Sequence, residues 1–373
     1  MGSKTPGGDK EHTAKPDRPA DVTTPRLLDI EDLWRYRRSS FADQRHDRAP
    51  RTFTPWLLLR YHKTDNGKGR PIPDNTVFWV SPDIWVESSD PLGNAVVGEQ
   101  NIVHARVLNL GKALARPTRV DFYWADPSLG LGPGQMNFIG SDTVFVDYHR
   151  AKDVRVPWTP LVTGHHCLVV NTTAEINDPI EMSFHPRLDR HVGQRNIGVV
   201  HAAPGKPIQL SLGVNNLAPM LTSVRVTARM QDVVVNPEAT ARWSRYEIVN
   251  AVAHHVRGED SRDIIEMAGF ERSAPRVRSQ LSDRTTLAPS REAHRFFAQL
   301  MGSAGRARES TADTSENITL HELTMQGFEG RQLDLELGVP NNGARGEFVV
   351  FHVMQQIAGL AVGGYTVIVE VAG

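Results

Sequence analysis

From about Asn75 the chain alternates apolar and polar residues with a period of two. In residues 101–109, Val103, Ala105 and Val107 fall on one face and His104 and Arg106 on the other. Val120, Phe122 and Trp124 then alternate with Asp121 and Tyr123. This pattern predicts a half-buried antiparallel pair, because parallel strands flanked by helices run continuously apolar. "NFIGSDTVFVDY", "KDVRVPWTP", "HHCLVVNTTAEI" and "QRNIGVVHA" follow as short strands divided by Gly, Pro, Asp and Asn. Such spacing over residues 75–202 predicts a β-sandwich.

The design recurs after "APGKP" at 203–207, which reads as a domain junction. Leu210, Leu212 and Val214 form one face of a strand, and Val224, Val226, Ala228 and Met230 that of the next. Aligning Asn109-Leu110 with Asn216-Leu217 brings Val120 and Val226 within one residue of register. Residues 203–373 therefore read as a second sandwich made by duplication. Residues 238–314 interrupt it with helical spacing, at Trp243, Tyr246, Val249, Val252 and Val256 and again at Ala293, Phe296, Phe297 and Leu300. Strand patterning resumes in "NITLHELTMQ" and continues to "GYTVIVEV". A long insertion between strands of one sheet is the natural seat of a distinguishing activity.

The first 23 residues are rich in Pro, Gly, Lys, Asp and Thr and predict a disordered arm. Within an arm and linker covering residues 1–74, residues 25–38 read as a short amphipathic helix. Leu27, Ile30 and Trp34 lie on one face, acids come early, and Arg35, Arg37 and Arg38 come late. The 42 basic and 43 acidic residues of the 373 leave no global field to draw in nucleic acid. Cys167 is the single cysteine, so no intramolecular disulfide forms. No secretory h-region or 18-residue apolar run is present, which makes the cytoplasm the default expectation, with non-classical export or incorporation into a particle leaving the same blank.

Candidate chemistry is sparse. His165 and Cys167 share a strand face but lack further zinc ligands, so a buried Cys with flanking surface His is expected. His254 and His255 lack the H-E-x-x-H spacing and read as a solvated helix face. "FHPRLDRH" supplies His185, Asp189 and His191, enough in kind for a metal or an acid-base pair, yet Pro186 and the mixed charges predict a surface loop. "SLGLGPGQ" at 128–135 lacks the Lys-Ser/Thr of a phosphate loop and reads as a hairpin tip. Arg272, Arg276, Arg278 and Arg284 make the insertion locally basic, interleaved with Glu266, Glu271 and Asp283 as on a solvated or inter-subunit ion-pair face. No cofactor or metal site is expected.

The strand ends "VLNLG" and "VNNLA", the aromatic strand end "VDFYW", the "GHHCLVV" strand and the closing "GGYTVIVEV" resemble the bacterial CARDB-type (cell-adhesion-related) immunoglobulin-like β-sandwich family. The resemblance covers residues 75–202 and, outside the insertion, 203–373. It implies two tandem immunoglobulin-like sandwiches serving as a spacer, adhesion or assembly module, and it supplies no ligand. The expectation is an all-β, non-catalytic interaction protein, a subunit or adaptor of a larger bacterial or phage-like assembly. Leu27, Ile30, Trp34, Arg276 and Arg278 are its candidate contacts with protein partners. Two rivals are carried: a carbohydrate- or cell-surface-binding module, favoured if Trp79 or Trp85 is solvent-accessible, and a metal-dependent enzyme built from the insertion and residues 184–191.

Overall fold

The computed structural model describes residues 53–162, 164–235, 245–254, 265–266, 277–282, 284–287, 291–303, 317–339 and 347–371. The first unit holds β1 (Leu57–Leu58), β2 (Ile84–Glu87), β3 (Asn101–Asn109), β4 (Ala115–Ala125), β5 (Asn137–Val146), β6 (Arg150–Trp158), β7 (Cys167–Thr173) and β8 (Val192–Arg195). Strand β3 pairs with β6 along its whole length and with β1 and β2 along its other edge. The facing sheet runs β5-β4-β7-β8. Their inner faces bury Val103, Ala105, Val107, Val120, Phe122, Val154, Leu168 and Val170, the alternate positions that the period of two marks.

The second unit holds β9 (Ile197–Ala202), β10 (Ile208–Asn215), β11 (Thr222–Val235), α1 (Arg245–Ala253), β12 (Ile265–Glu266), β13 (Val277–Leu281), β14 (Thr285–Thr286), α2 (Arg291–Ser303), β15 (Ile318–Met325), β16 (Glu329–Leu337), β17 (Glu347–Ile357) and β18 (Leu360–Val371). One sheet centres on β16, flanked by β10 and by β13 and β14. The other runs β11-β17-β18-β9, with β12 and β15 on the far edge of β11. β17 and β18 are apolar on both faces. Phe351, Val353, Tyr365 and Val367 join one core cluster, whereas Phe348, Val350 and Ile368 join another shared with Phe78, Trp79 and helix α1.

The duplicated corner repeats three side-chain bonds. Asn109 donates from Nδ2 to Ala113 O (2.8 Å) and to Val146 O at the end of β5 (2.9 Å), and its Oδ1 accepts Gly111 N (2.9 Å). Asn216 donates to Met220 O and to Met325 O at the end of β15 (3.0 Å each), and accepts Ala218 N (3.0 Å). The offsets of four and two residues are the same. One short polar side chain thus satisfies the backbone where each strand leaves its sheet.

Four expectations change. Residues 53–74 are no free linker: Leu57 and Leu59 join the core of the first sandwich, β1 adds to β3, and Ile72 joins the cluster shared with the second unit. Residues 197–202 leave the first unit, because β9 pairs in parallel with β18. Strand β3 is covered on both faces. Trp85 stacks on His104 with centroids 4.9 Å apart, Arg106 lies over Trp85, and Tyr246 of α1 closes over them. The insertion is only partly helical: "SAPRVRSQLSDRT" contains β13, which pairs with β16. Its helices pack inward, Ile248, Val249 and Val252 of α1 at the junction of the units and Phe297 and Leu300 of α2 in the cluster that both units share, beside residues 133–135.

Candidate functional site

The segment "FHPRLDRH" is not a surface loop. His185, Arg187, Asp189 and His191 are each at most 5% exposed. Their charges are satisfied by the chain before β2 and by the second unit. Arg187 donates from Nε to Ile72 O (2.9 Å) and from Nη1 to Ala361 O (3.0 Å), and its Nη2 lies 2.7 Å from Asp74 Oδ1. Asp178 accepts the amide of Leu57 (2.6 Å) and pairs with Arg190. Nearby, Asp83 holds Arg60 through Nε (2.9 Å), Nη2 and the backbone amide (2.8 Å). Asp189 Oδ1 lies 2.6 Å from Nδ1 of His191. Burial opposes ionisation of Asp189, but the bonds from His191 and from the amides of His191 and Met182 outweigh it and hold the carboxyl down at about 2. Burial likewise works against the His191 cation, and Asp178 and Asp189 overcome it, raising that imidazole. His185, buried beside Arg187, is pushed down to about 3 and stays neutral.

This is scaffolding chemistry. Among the described residues no group of three or more His, Cys, Asp and Glu is arranged to hold a metal ion. His254 is not on a solvated face: it packs edge-on against His62 at 5.0 Å, and burial lowers it well below the usual histidine range. His255, Leu27, Ile30, Trp34 and Arg276 lie outside the described residues. Arg278 is exposed on β13, 3.5 Å from Glu336, an arrangement that contributes little. Trp79 and Trp85 are buried, so neither offers a platform for a sugar.

The glycine-rich stretch at 128–135 connects β4 to β5, and its buried tip is driven into the second unit. Ser128 Oγ donates to Gly213 O (3.1 Å), and Asn215 Nδ2 donates to Gly130 O (2.9 Å). A Cβ on Gly363 would strike Leu129 O, and one on Gly364 would strike the Trp79 ring. The two strand glycines therefore mark where first-unit atoms lie directly on β18, and Trp79 Nε1 donates to Thr366 Oγ1 there (3.1 Å). Cys167 lies in the same continuous cluster, and burial pushes its thiol up to about 12.

Two solvent-facing features among the described residues bear on binding. One is a small cleft of about 40 Å³ between the β6–β7 connection and β9, lined by Asn94, Trp158, His165, His166, Leu168, Arg195, Ile197 and neighbours. His165 and His166, expected at the surface, are half-buried here, and desolvation lowers both imidazoles. The other is β5, at the edge of its sheet, where Phe138 and Phe145 are each 59% exposed and Tyr148 of the following turn is 55% exposed. Phe138 extends an edge-to-face row through Tyr123 to Phe184, at 5.5 and 4.9 Å. Neither was legible as a site: the cleft depends on which strand β9 joins, and Phe138 and Phe145 have opposite parity in a period of two, brought to one face only by the register shift opposite Phe122 and Tyr123.

No family model matches the chain, and no curated protein matches it in sequence. In structure it is similar to the CARDB domain of a Pyrococcus furiosus protein solved in complex with di-metal ions, at 20% identity and a TM-score of 0.21, covering 30% of this chain and 84% of that one. It is also similar to a putative membrane anchored protein from Corynebacterium diphtheriae (9% identity, TM-score 0.22, 78% and 59% covered). Collagen adhesin from S. aureus is similar at 8% identity and a TM-score of 0.20, with 78% and 92% covered. The all-β sandwich assignment rests on the strand pairing, and these scores add neither activity nor ligand to it.

Proposed function

We propose that this chain is a non-catalytic interaction module, a subunit or adaptor of a larger assembly, that engages a protein partner along β5. The observation that carries this reading is the exposed aromatic edge. β5 is ten residues long, pairs only with β4 among the described residues, and carries a single charge, Asp142. Edge strands are ordinarily blunted by Lys, Pro or shortness, and an unblunted one presents unpaired backbone groups to an added strand. Exposed aromatic side chains are residues that anchor interfaces. The buried roles of His185, Asp189, His191 and Cys167 support the same reading, since each side chain is enclosed by the scaffold. No helix of the described residues is long and apolar enough to cross a membrane.

The test is the hydrodynamic size of the full chain in native extract. The wild type is expected above its monomer mass, and a Phe138→Lys, Phe145→Lys double variant at monomer mass with an unchanged thermal midpoint. Removal of residues 1–50 measures the added contribution of Leu27, Ile30 and Trp34. A wild-type chain that runs as a free monomer would overturn the assembly role.

A further inference from the structure

We propose that the cleft between the β6–β7 connection and β9 binds a carboxylate group, with Arg195 as its principal ligand. The arginines buried or half-buried in the first unit provide the contrast. Arg60, Arg70, Arg106, Arg187 and Arg190 pair with Asp83, Asp65, Asp153, Asp74 and Asp178 respectively. Arg195, equally set into the structure at the end of β8, has no carboxylate partner among the described residues. Its Nη1 donates to two neutral oxygens, Asn250 Oδ1 (3.0 Å) and Ser81 O (3.3 Å), and its guanidinium lies 5.1 Å from the centre of the Tyr246 ring. A cation withdrawn from bulk water without a counter-charge is costly, and five of these six arginines avoid that cost.

The remaining nitrogens, Nε and Nη2, donate to no described residue. They form one edge of the planar fork that matches a carboxylate with two parallel bonds. Arg195 shares the lining of the cleft with His165, whose ring makes no hydrogen bond to a described residue. Kept neutral by desolvation, that ring adds one N–H donor without adding charge. Asp90, the acid whose field reaches His165, is already held by the amides of Leu92 (2.9 Å) and Asn94 (3.2 Å) and by Asn94 Nδ2 (2.7 Å). One guanidinium and neutral imidazoles suit a monoanion better than a phosphate dianion. Trp158, Leu168, Ile197 and Val199 provide apolar wall for the carbon next to the carboxylate.

The carboxylate has two sources, a free small acid or an acidic side chain of a partner. The experiment titrates the full chain at constant ionic strength with sodium acetate, N-acetylglutamate amide and sodium phosphate, following the Hε1 resonances of His165 and His166 by NMR. A saturable shift with either carboxylate is expected, weakened by about tenfold or more in Arg195→Gln, as for loss of a charge-assisted bond. Arg195→Lys keeps the charge without the fork and is expected to bind several-fold more weakly, as is His165→Gln. Arg225→Gln, at an exposed arginine paired with Glu322 outside the cleft lining, is expected to leave binding unchanged. Tighter binding of the glutamate amide assigns the ligand to a partner side chain, and equal binding assigns it to a free acid. The proposal falls if no carboxylate saturates, if phosphate alone does, or if Arg195→Lys and His165→Gln, with Arg195→Gln where it folds, bind acetate like wild type.

Discussion

Asn109 and Asn216 end equivalent strands with equivalent bonds, and around them the two sandwiches diverge. The second is held by apolar surface: β17 and β18 bury almost every side chain, and the ionic group at its corner, Glu329, meets one partly exposed and one exposed arginine. The first is stitched by ion pairs reaching out of the chain before β2 and the loop before β8, with both members of Arg60–Asp83 buried. The repeated part is the part that ends strands. The part that differs is the part that joins one sandwich to the other and leaves the Arg195 cleft between them.

The largest expected effect breaks this contrast directly. Asp83→Ala leaves the buried guanidinium of Arg60 without its counter-charge and is expected to cost about 3–5 kcal/mol in urea unfolding. Glu329→Ala in the second unit is expected to cost clearly less, because Arg284 and Arg331 reach water when released. Equal losses would mean that the first unit gains nothing particular from its buried pairs.

A smaller effect, equal in the two units, tests the duplication. Asn109→Ala and Asn216→Ala each strand several backbone groups that the amide satisfies, and each is expected to cost about 2–4 kcal/mol. Asn→Asp at either site keeps the acceptor for Gly111 or Ala218 but sets a buried carboxylate oxygen against carbonyl oxygens, and should cost at least as much as Ala. If one site tolerates Ala at under about 1 kcal/mol, within the range of ordinary surface changes, the corners are alike only in outline.

Much of this scaffold is legible in the sequence because its signals are local. The period of two places Val103, Ala105, Val107, Val120 and Phe122 in the core, and the Asn followed two residues later by a small residue marks both corners. The rest depends on distant partners. Leu57 N and Asp178 are 121 residues apart, and nothing near "FHPRLDRH" announces that Arg187 is matched by Asp74 and Arg190 by Asp178. Helix α1 hides a face of β3 that reads as solvated because its spacing shows that it is amphipathic and not what it covers. The adjacent glycines at 363–364 were a usable signal for close approach, since a paired strand has little reason to give up two side chains.

The smallest effect concerns protons and divides between the units. His185 in the first and His352 in the second are both pushed by burial from 6.5 down to about 3, and His62 to about 4. Below pH 6.5 the unfolded chain takes up protons that these folded sites refuse. Their neutral burial therefore costs nothing above pH 6.5 and progressively destabilises the fold as pH falls toward 4. His191 has the opposite sign: its folded value is raised, so it adds stability below 6.5 that fades as pH climbs through that raised value. Stability from urea unfolding is expected to drop between pH 6.5 and 5, each lowered histidine adding about 1 kcal/mol per pH unit. His185→Asn and His352→Asn should each flatten the slope by about one proton's share, whereas His191→Asn should lower stability throughout that range, leave the slope there nearly unchanged and abolish the decline above pH 6.5. A slope that flattens only for His352→Asn would show that the charge layer of the first unit accommodates a protonated His185, making that layer the more adaptable of the two interiors.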